Sequence, residues 1–231
     1  ARISQVASGQ WWLEGFRVDP QHQDKKIGSQ LHKYLVNWWL ENGDGIIRLW
    51  TGAERVKVHH LCAQTGFVKT QERAIYTASP LPAMENLFTP LTPTDIPAAA
   101  AFALDPAFLA FTGGQMDVGW RMAVPDENCF RQLLGWPDGR VCWWRERQGL
   151  IGIWENDDNG YPIPMLALVA CKTGDLSALL LDFRRYAAQN GYPKADWNVL
   201  LSPELDACLK SAGFARADED VNFQFERIHP T

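Results

Sequence analysis

The alternation of strand and helix signals near the start of the chain constrains the fold most. An apolar run at 11–18 precedes a helical pattern at 28–41, a β-branched run at 46–50 and a second helical pattern at 54–65. The links between them are short. Strands in this order pair in parallel through right-handed helical crossovers. We therefore expect an α/β (α+β) protein, with mixed twisted sheets flanked by helices.

The second half of the chain resembles a copy of the first. The segment LCAQTGFVKTQE at 61–72 resembles CLKSAGFARADE at 208–219, 147 residues further on, and ENGDGIIRLW and QNGYPKADW fall at nearly the same offset. The helical patterns that precede these segments also fall at nearly this offset, and three similarities in one order indicate duplication. A proline-rich stretch separates the two copies. The predicted limits are 1–80 for the first domain, 81–93 for the linker and 94–231 for a degenerate second domain. FVKTQERAIYTA is predicted to form a hairpin-like pair of strands, and Ser202 to cap a helix.

Composition excludes several classes of protein. A net charge of −5 argues against a general nucleic-acid binder. Five scattered cysteines without CxxC spacing argue against a zinc site and favour free thiols in a reducing compartment. Neither a signal peptide nor an apolar run of ~18 residues is visible, so we expect no membrane span and a cytoplasmic location.

The loop between the first strand and the first helix is polar and basic. Gln23, Lys25 and Lys26 precede Gly28 and Ser29, which open the helix. Free N–H groups and the positive end of the dipole make a helix start a natural anion site. Glycine permits close approach of the backbone, and lysines add charge for phosphate. We predict that this loop holds a diphosphate. A solvated loop without a ligand is the alternative.

These motifs together resemble a known family. A strand, the pattern V-x-P-x-x-Q-x-x-G-x-G, a helix, a strand, a helix and then GF is the layout of the GCN5-related N-acetyltransferase (GNAT) family. LEGFRVDPQHQDKKIGSQL looks like its acetyl-CoA motif, and HHLCAQTGF resembles the end of its last helix. The resemblance covers 11–80, and over 86–229 it rests on layout and the internal repeat. The whole chain is similar to the tandem members, and this comparison implies a first domain that is truncated at its N-terminus.

The resemblance implies that the anion is the pyrophosphate of acetyl-CoA. The residues expected to bind this cosubstrate are Phe16, Arg17, Val18, Gln23, Asp24, Lys25, Lys26, Ile27, Gly28, Ser29 and Arg55. Two of them depart from the family pattern, since Lys26 and Asp24 stand where glycine is usual. A side chain at position 26 requires a negative φ or tolerated strain.

The resemblance also suggests catalytic residues. Glu14 matches a glutamate that acts as general base in polyamine acetyltransferases. Its neighbours Trp12 and Phe16 would partly desolvate it, which suits a base. A solvated or arginine-paired glutamate is the alternative. Cys62 stands where the family carries a tyrosine acid, so it is either a proton donor or a buried structural cysteine. A backbone N–H near 16–18 would stabilise the oxyanion.

The resulting hypothesis is an acetyl-CoA-dependent N-acetyltransferase that acts on the amine of a small molecule or an amino terminus. The amine would attack the thioester directly. The second domain is expected not to bind the cosubstrate, because Leu176 stands where Gly28 would align. The competing hypothesis is a non-catalytic module that binds CoA or another ligand. The sequence leaves the formation of a homodimer open.

Overall fold

The computed structural model describes residues 1–109, 112–158 and 160–230. The strands, numbered in chain order, are β1 (Arg2–Ala7), β2 (Gln10–Glu14), β3 (Ile46–Gly52), β4 (Val68–Ala78), β5 (Phe88–Pro90), β6 (Met116–Asp117), β7 (Met122–Ala123), β8 (Arg140–Trp144), β9 (Gly149–Asp158), β10 (Tyr161–Cys171), β11 (Ala195–Leu200), β12 (Ala215–Arg216) and β13 (Asn222–Ile228). The α-helices are α1 (Ile27–Asn42), α2 (Val56–Gln64), α3 (Ile96–Ala103), α4 (Pro106–Leu109), α5 (Glu127–Leu134), α6 (Leu176–Gln189) and α7 (Pro203–Ser211). Within these ranges, no helix combines the length and apolar character that a membrane crossing requires.

The described chain divides into two compact units. Unit 1 contains Ala1–Glu72 and the chain from Val221 onward, and unit 2 contains Arg73–Asp220. The C-terminal strand belongs to unit 1 because β13 pairs antiparallel with β3 along its whole length. Compactness alone does not test which residues form a duplicated copy. The sequence-based limits of 1–80, 81–93 and 94–231 therefore remain a prediction.

Unit 1 packs two helices on one face of its strands. Its core contains Val36 and Trp39 from α1, Cys62 from α2, and Ile47 and Leu49 from β3. The apolar residues of α1 recur every three or four positions, so one side of the helix can bury against the sheet. This packing fixes the start of α1 next to the end of β2.

Unit 2 combines antiparallel and parallel strand pairs. Strands β8 and β9 form an antiparallel hairpin, and β10 pairs antiparallel with β9 and in parallel with β11. The Ser202 hydroxyl accepts a hydrogen bond from the Leu205 amide at 3.1 Å, which confirms the predicted N-cap of α7. The apolar faces of α6 and α7 share one core with these strands.

Helix α2 of unit 1 and helix α7 of unit 2 end in the same way. Gly66 follows α2 with φ 77°, and Gly213 follows α7 with φ 76°. The next amide, of Phe67 or Phe214, donates to a carbonyl five residues earlier at 3.0 and 2.9 Å respectively. This is the Schellman cap, which needs a left-handed residue and therefore favours glycine. The same cap 147 residues apart supports the internal repeat that the sequence indicated.

The predicted pair of strands in FVKTQERAIYTA is wrong. Val68–Ala78 is one continuous strand, β4. Its second half pairs antiparallel with β11, from Arg73 opposite Leu200 to Ala78 opposite Ala195. The segment contains no glycine, proline or asparagine to form a turn, so the strand extends without interruption.

Candidate functional site

The parallel pair in unit 1 separates at one end. Strands β2 and β3 are paired from Gln10 to Trp12, and the last pair places Trp12 opposite Arg48. Strand β3 continues to Gly52, whereas β2 stays paired with β1 and ends at Glu14. Gly15 follows with φ 72°, which breaks the predicted strand 11–18 early. The ladder between the two strands therefore ends at Trp12.

A cavity of about 340 Å³ opens at this point. Its walls come from the diverging ends of β2 and β3 and from the first turns of α1 and α2. The lining residues are Leu13, Glu14, Gly15, Phe16, Val18, Gly28, Ser29, His32, Leu49, Trp50, Thr51, Arg55, Lys57, Val58 and Leu61. Ligands of open α/β sheets commonly bind at such carboxyl ends of parallel strands.

The structure brings part of the predicted site together. The predicted residues that line the cavity are Glu14, Phe16, Val18, Gly28, Ser29 and Arg55. The predicted residues outside the lining are Arg17, Gln23, Asp24, Lys25, Lys26, Ile27 and Cys62. Most of this second group belongs to the loop before α1, between the lining residues Val18 and Gly28.

The start of α1 offers backbone donors to the cavity. The Gln30 amide donates to the Lys26 carbonyl at 3.0 Å, which is the first bond of the helical ladder. The amides of residues 27–29 therefore have no acceptor within the helix. The side chain of Lys26 does not cap them. A Cβ on Gly28 would lie 3.5 Å from Val18 Cγ2, an ordinary contact, so alanine would fit and the glycine leaves the cavity open.

The loop before α1 adopts left-handed backbone conformations that usually require glycine, although other residues occupy these positions. Asp24 and Lys26 both have φ of 61°. This left-handed conformation costs an ordinary residue roughly 1 kcal/mol, so strain is tolerated at position 26. Left-handed residues in such turns orient successive amides toward an anion. The negative charge of Asp24 is offset by Lys57, whose Nζ lies 3.5 Å from the carboxylate.

Glu14 lines the cavity and also forms an ion pair. The Arg2 guanidinium donates to the Glu14 carboxylate, with Nε 2.7 Å from Oε1. The side chain of Glu14 is 25% exposed and that of Arg2 is 57% exposed. The arginine-paired alternative thus matches the observed geometry, and a base role requires Glu14 to exchange Arg2 for a substrate ammonium.

Cys62 lies in the core. Its side chain is fully buried in the cluster beneath α1 and α2. Burial raises the pKa of the thiol to about 12. Its position favours the structural interpretation over proton donation.

His32 is a lining residue that the sequence analysis did not select. It is 2% exposed, and its Nε2 lies 2.9 Å from the Thr65 hydroxyl. Its ring packs between those of Phe16 and Phe67, with centroid distances of 5.4 and 5.8 Å. Burial lowers its pKa to about 4, so the imidazole is neutral near pH 7. The spacing of four residues from Gly28, which places both on one side of α1, was the available signal.

The corresponding place in unit 2 is filled. Parallel pairing of β10 and β11 ends at Leu166 opposite Trp197. Beyond it, Leu176 and Val199 are each 1% exposed within the apolar core. Leu176 is the first residue of α6, and Gly28 lies in the first turn of α1. The side chain of Leu176 occupies the interior of unit 2, whereas Gly28 lines a cavity in unit 1.

Known proteins resemble this chain both in sequence and in fold. Residues 1–67 match the family model described as "Acetyltransferase (GNAT) family". This segment is therefore similar to the GNAT family. No curated protein matches the chain significantly. Solved structures match over nearly its whole length, and they establish the GNAT fold, including a tandem form.

Two of these structures illustrate the similarity. A GCN5-related N-acetyltransferase from Sphaerobacter thermophilus has a TM-score of 0.61 at 14% identity, over 99% of this chain and 76% of that one. A tandem GNAT protein from the clavulanic acid biosynthesis pathway has a TM-score of 0.59 at 11% identity, over 97% and 76%. The chain is thus built on the GNAT fold.

Proposed function

We propose that the protein is an acetyl-CoA-dependent N-acetyltransferase acting on an amine of a small molecule or an amino terminus. The observation that carries the proposal is the cavity where β2 and β3 separate beside the free amides of α1. Exposed strand edges and helix-start donors in one cavity suit a ligand with amide groups at one end and phosphates at the other.

The residues present fit such a ligand. The amides of 27–29 and the hydroxyl of Ser29 would hold the pyrophosphate, with Lys57 and Arg55 at the rim of the cavity. The segment of β2 beyond Trp12, where its ladder with β3 has ended, would bind the arm that carries the thioester. Acetyl-CoA, when bound, supplies the activated acetyl group. Gly28 leaves the space that this binding needs.

Glu14 is proposed to remove the proton that the attacking amine must lose. The amine forms the new C–N bond, the C–S bond breaks, and the CoA thiolate leaves and takes up a proton. Glu14 stands on the cavity wall, where an incoming ammonium would compete with Arg2 for its carboxylate. A backbone N–H near 16–18 would stabilise the negative charge on the thioester oxygen.

Unit 2 is proposed not to bind acetyl-CoA, because Leu176 and its neighbours fill the equivalent space. The expected stoichiometry is one acetyl-CoA per chain. Isothermal titration calorimetry measures it directly. Gly28→Leu should abolish binding by filling the cavity. Gly174→Leu, at an open glycine before α6, is the matched control and should bind as the wild type does.

Turnover is tested with a panel of amines and chromatographic detection of free CoA. The proposal expects CoA release for some amine, and a loss of at least about 100-fold in kcat for Glu14→Gln with unchanged acetyl-CoA affinity. Failure of the wild type to bind acetyl-CoA would refute the proposed function.

A non-catalytic CoA- or ligand-binding tandem module is the second candidate. The Arg2–Glu14 ion pair and the buried Cys62 favour it, because neither expected catalytic group is free for proton transfer. Binding of acetyl-CoA without CoA release across the amine panel would support this candidate.

A further inference from the structure

His32 places a polar ring in a wall of the cavity that is otherwise apolar. Phe16, whose ring packs against that of His32, lines the same cavity and carries no polar side-chain atom, whereas His32 does. A buried polar atom without a partner costs free energy, so each ring nitrogen needs an explanation.

Thr65 fixes the tautomer of this ring. The Thr65 hydroxyl lies 2.8 Å from the Leu61 carbonyl and 3.1 Å from the Cys62 carbonyl. Carbonyls only accept, so the single hydroxyl hydrogen points to them. The bond between Thr65 Oγ1 and His32 Nε2 must then use a hydrogen on Nε2.

The other ring nitrogen is consequently an acceptor. With its hydrogen on Nε2, the neutral ring carries a lone pair on Nδ1. Among the described residues, the hydrogen bond found for His32 is the one at Nε2. A ring that lines a cavity, held by Thr65 in the form that accepts at Nδ1, is suited to a ligand that donates.

We propose that His32 is a ligand-binding residue whose Nδ1 accepts a hydrogen bond from an amide N–H of the pantetheine arm of CoA. The inference rests on the proposed function and names a contact within it. The arm carries amide N–H groups, whereas the nucleotide part binds through phosphates. The His32 contact therefore stabilises binding of the arm and leaves the nucleotide part unaffected.

Two variants separate the roles of the two ring nitrogens. His32→Asn places an amide oxygen near the position of Nδ1 and loses the bond to Thr65. His32→Gln reaches the position of Nε2, keeps a group for Thr65 and loses the acceptor. Affinity is measured by calorimetry with two probes, CoA and 3′-phosphoadenosine 5′-diphosphate, which has the phosphates without the arm.

The expected result is a selective loss. His32→Gln should weaken CoA binding about tenfold and leave the affinity for 3′-phosphoadenosine 5′-diphosphate unchanged. His32→Asn should keep CoA affinity within about threefold of the wild type, although it unfolds at a lower temperature. A purely structural role predicts the opposite order, with His32→Asn as the weaker binder.

The outcomes distinguish the two proposals. Wild-type protein that binds neither probe refutes the proposed function. Wild-type protein that binds both, with the Gln variant unchanged toward CoA or equally weakened toward both probes, refutes the role of His32 and leaves the proposed function standing.

Discussion

Acid should destabilise unit 1 through His32 over a defined pH range. The folded state lowers the pKa of this imidazole from 6.5 to about 4, because burial disfavours the charged ring. The unfolded chain binds the proton more tightly than the folded chain does. The contribution of neutral His32 to stability is thus complete above pH 6.5 and is lost as the pH falls from 6.5 toward 4. The pKa of His32 differs by about 2.5 between the unfolded and folded states, which corresponds to about 3 kcal/mol of folding free energy.

Urea unfolding followed by tryptophan fluorescence measures this effect from pH 8 to pH 4. Wild-type protein and His32→Gln both lose stability through their carboxylates, so the difference between them isolates His32. The difference in free energy of unfolding between the two proteins should be constant above pH 6.5. By pH 4 it should have shifted by about 3 kcal/mol in favour of the variant. His60→Gln, at an exposed position on α2, is the control for loss of a histidine. Parallel curves for wild type and His32→Gln from pH 6.5 to pH 4 would refute the reasoning.

Three further predictions concern other sites. Lys26 has a left-handed φ of 61°, so Lys26→Gly should be about 1 kcal/mol more stable than Lys26→Ala in urea unfolding; equal stability would contradict the strain. Cys62 is buried, so Cys62→Ala should lose about 1–2 kcal/mol of stability. Its kcat should stay within about twofold of the wild type. A large fall in kcat would instead identify Cys62 as a proton donor. Burial raises the pKa of Asp117 to about 7, so unit 2 should lose stability as the pH rises from about 4 to 7, and Asp117→Asn should remove that slope in thermal unfolding.

Local sequence signals predicted elements in both units. Helix α1, strand β3 and the Ser202 cap follow from spacing and capping residues that act within a few positions of each other. The loop before α1 was recognisable for the same reason, because Gly28 and Ser29 mark the start of a helix.

The tertiary structure decided which of these residues meet. The separation of β2 from β3 after Trp12 depends on pairing between strands that are distant in sequence. The same is true of the return of β13 to β3 and the continuity of β4. No local pattern encodes such pairing, because register is set by all the side chains that pack on the sheet.

Individual side chains show the same division. The sequence by itself determined that a helix start with exposed amides follows a strand, since backbone geometry near Gly28 is a local property. Only packing decided that Cys62 is sealed in the core, that Glu14 pairs with Arg2, and that His32 lines the cavity. These placements arise from contacts between different elements, which form only when the helices dock on the sheet.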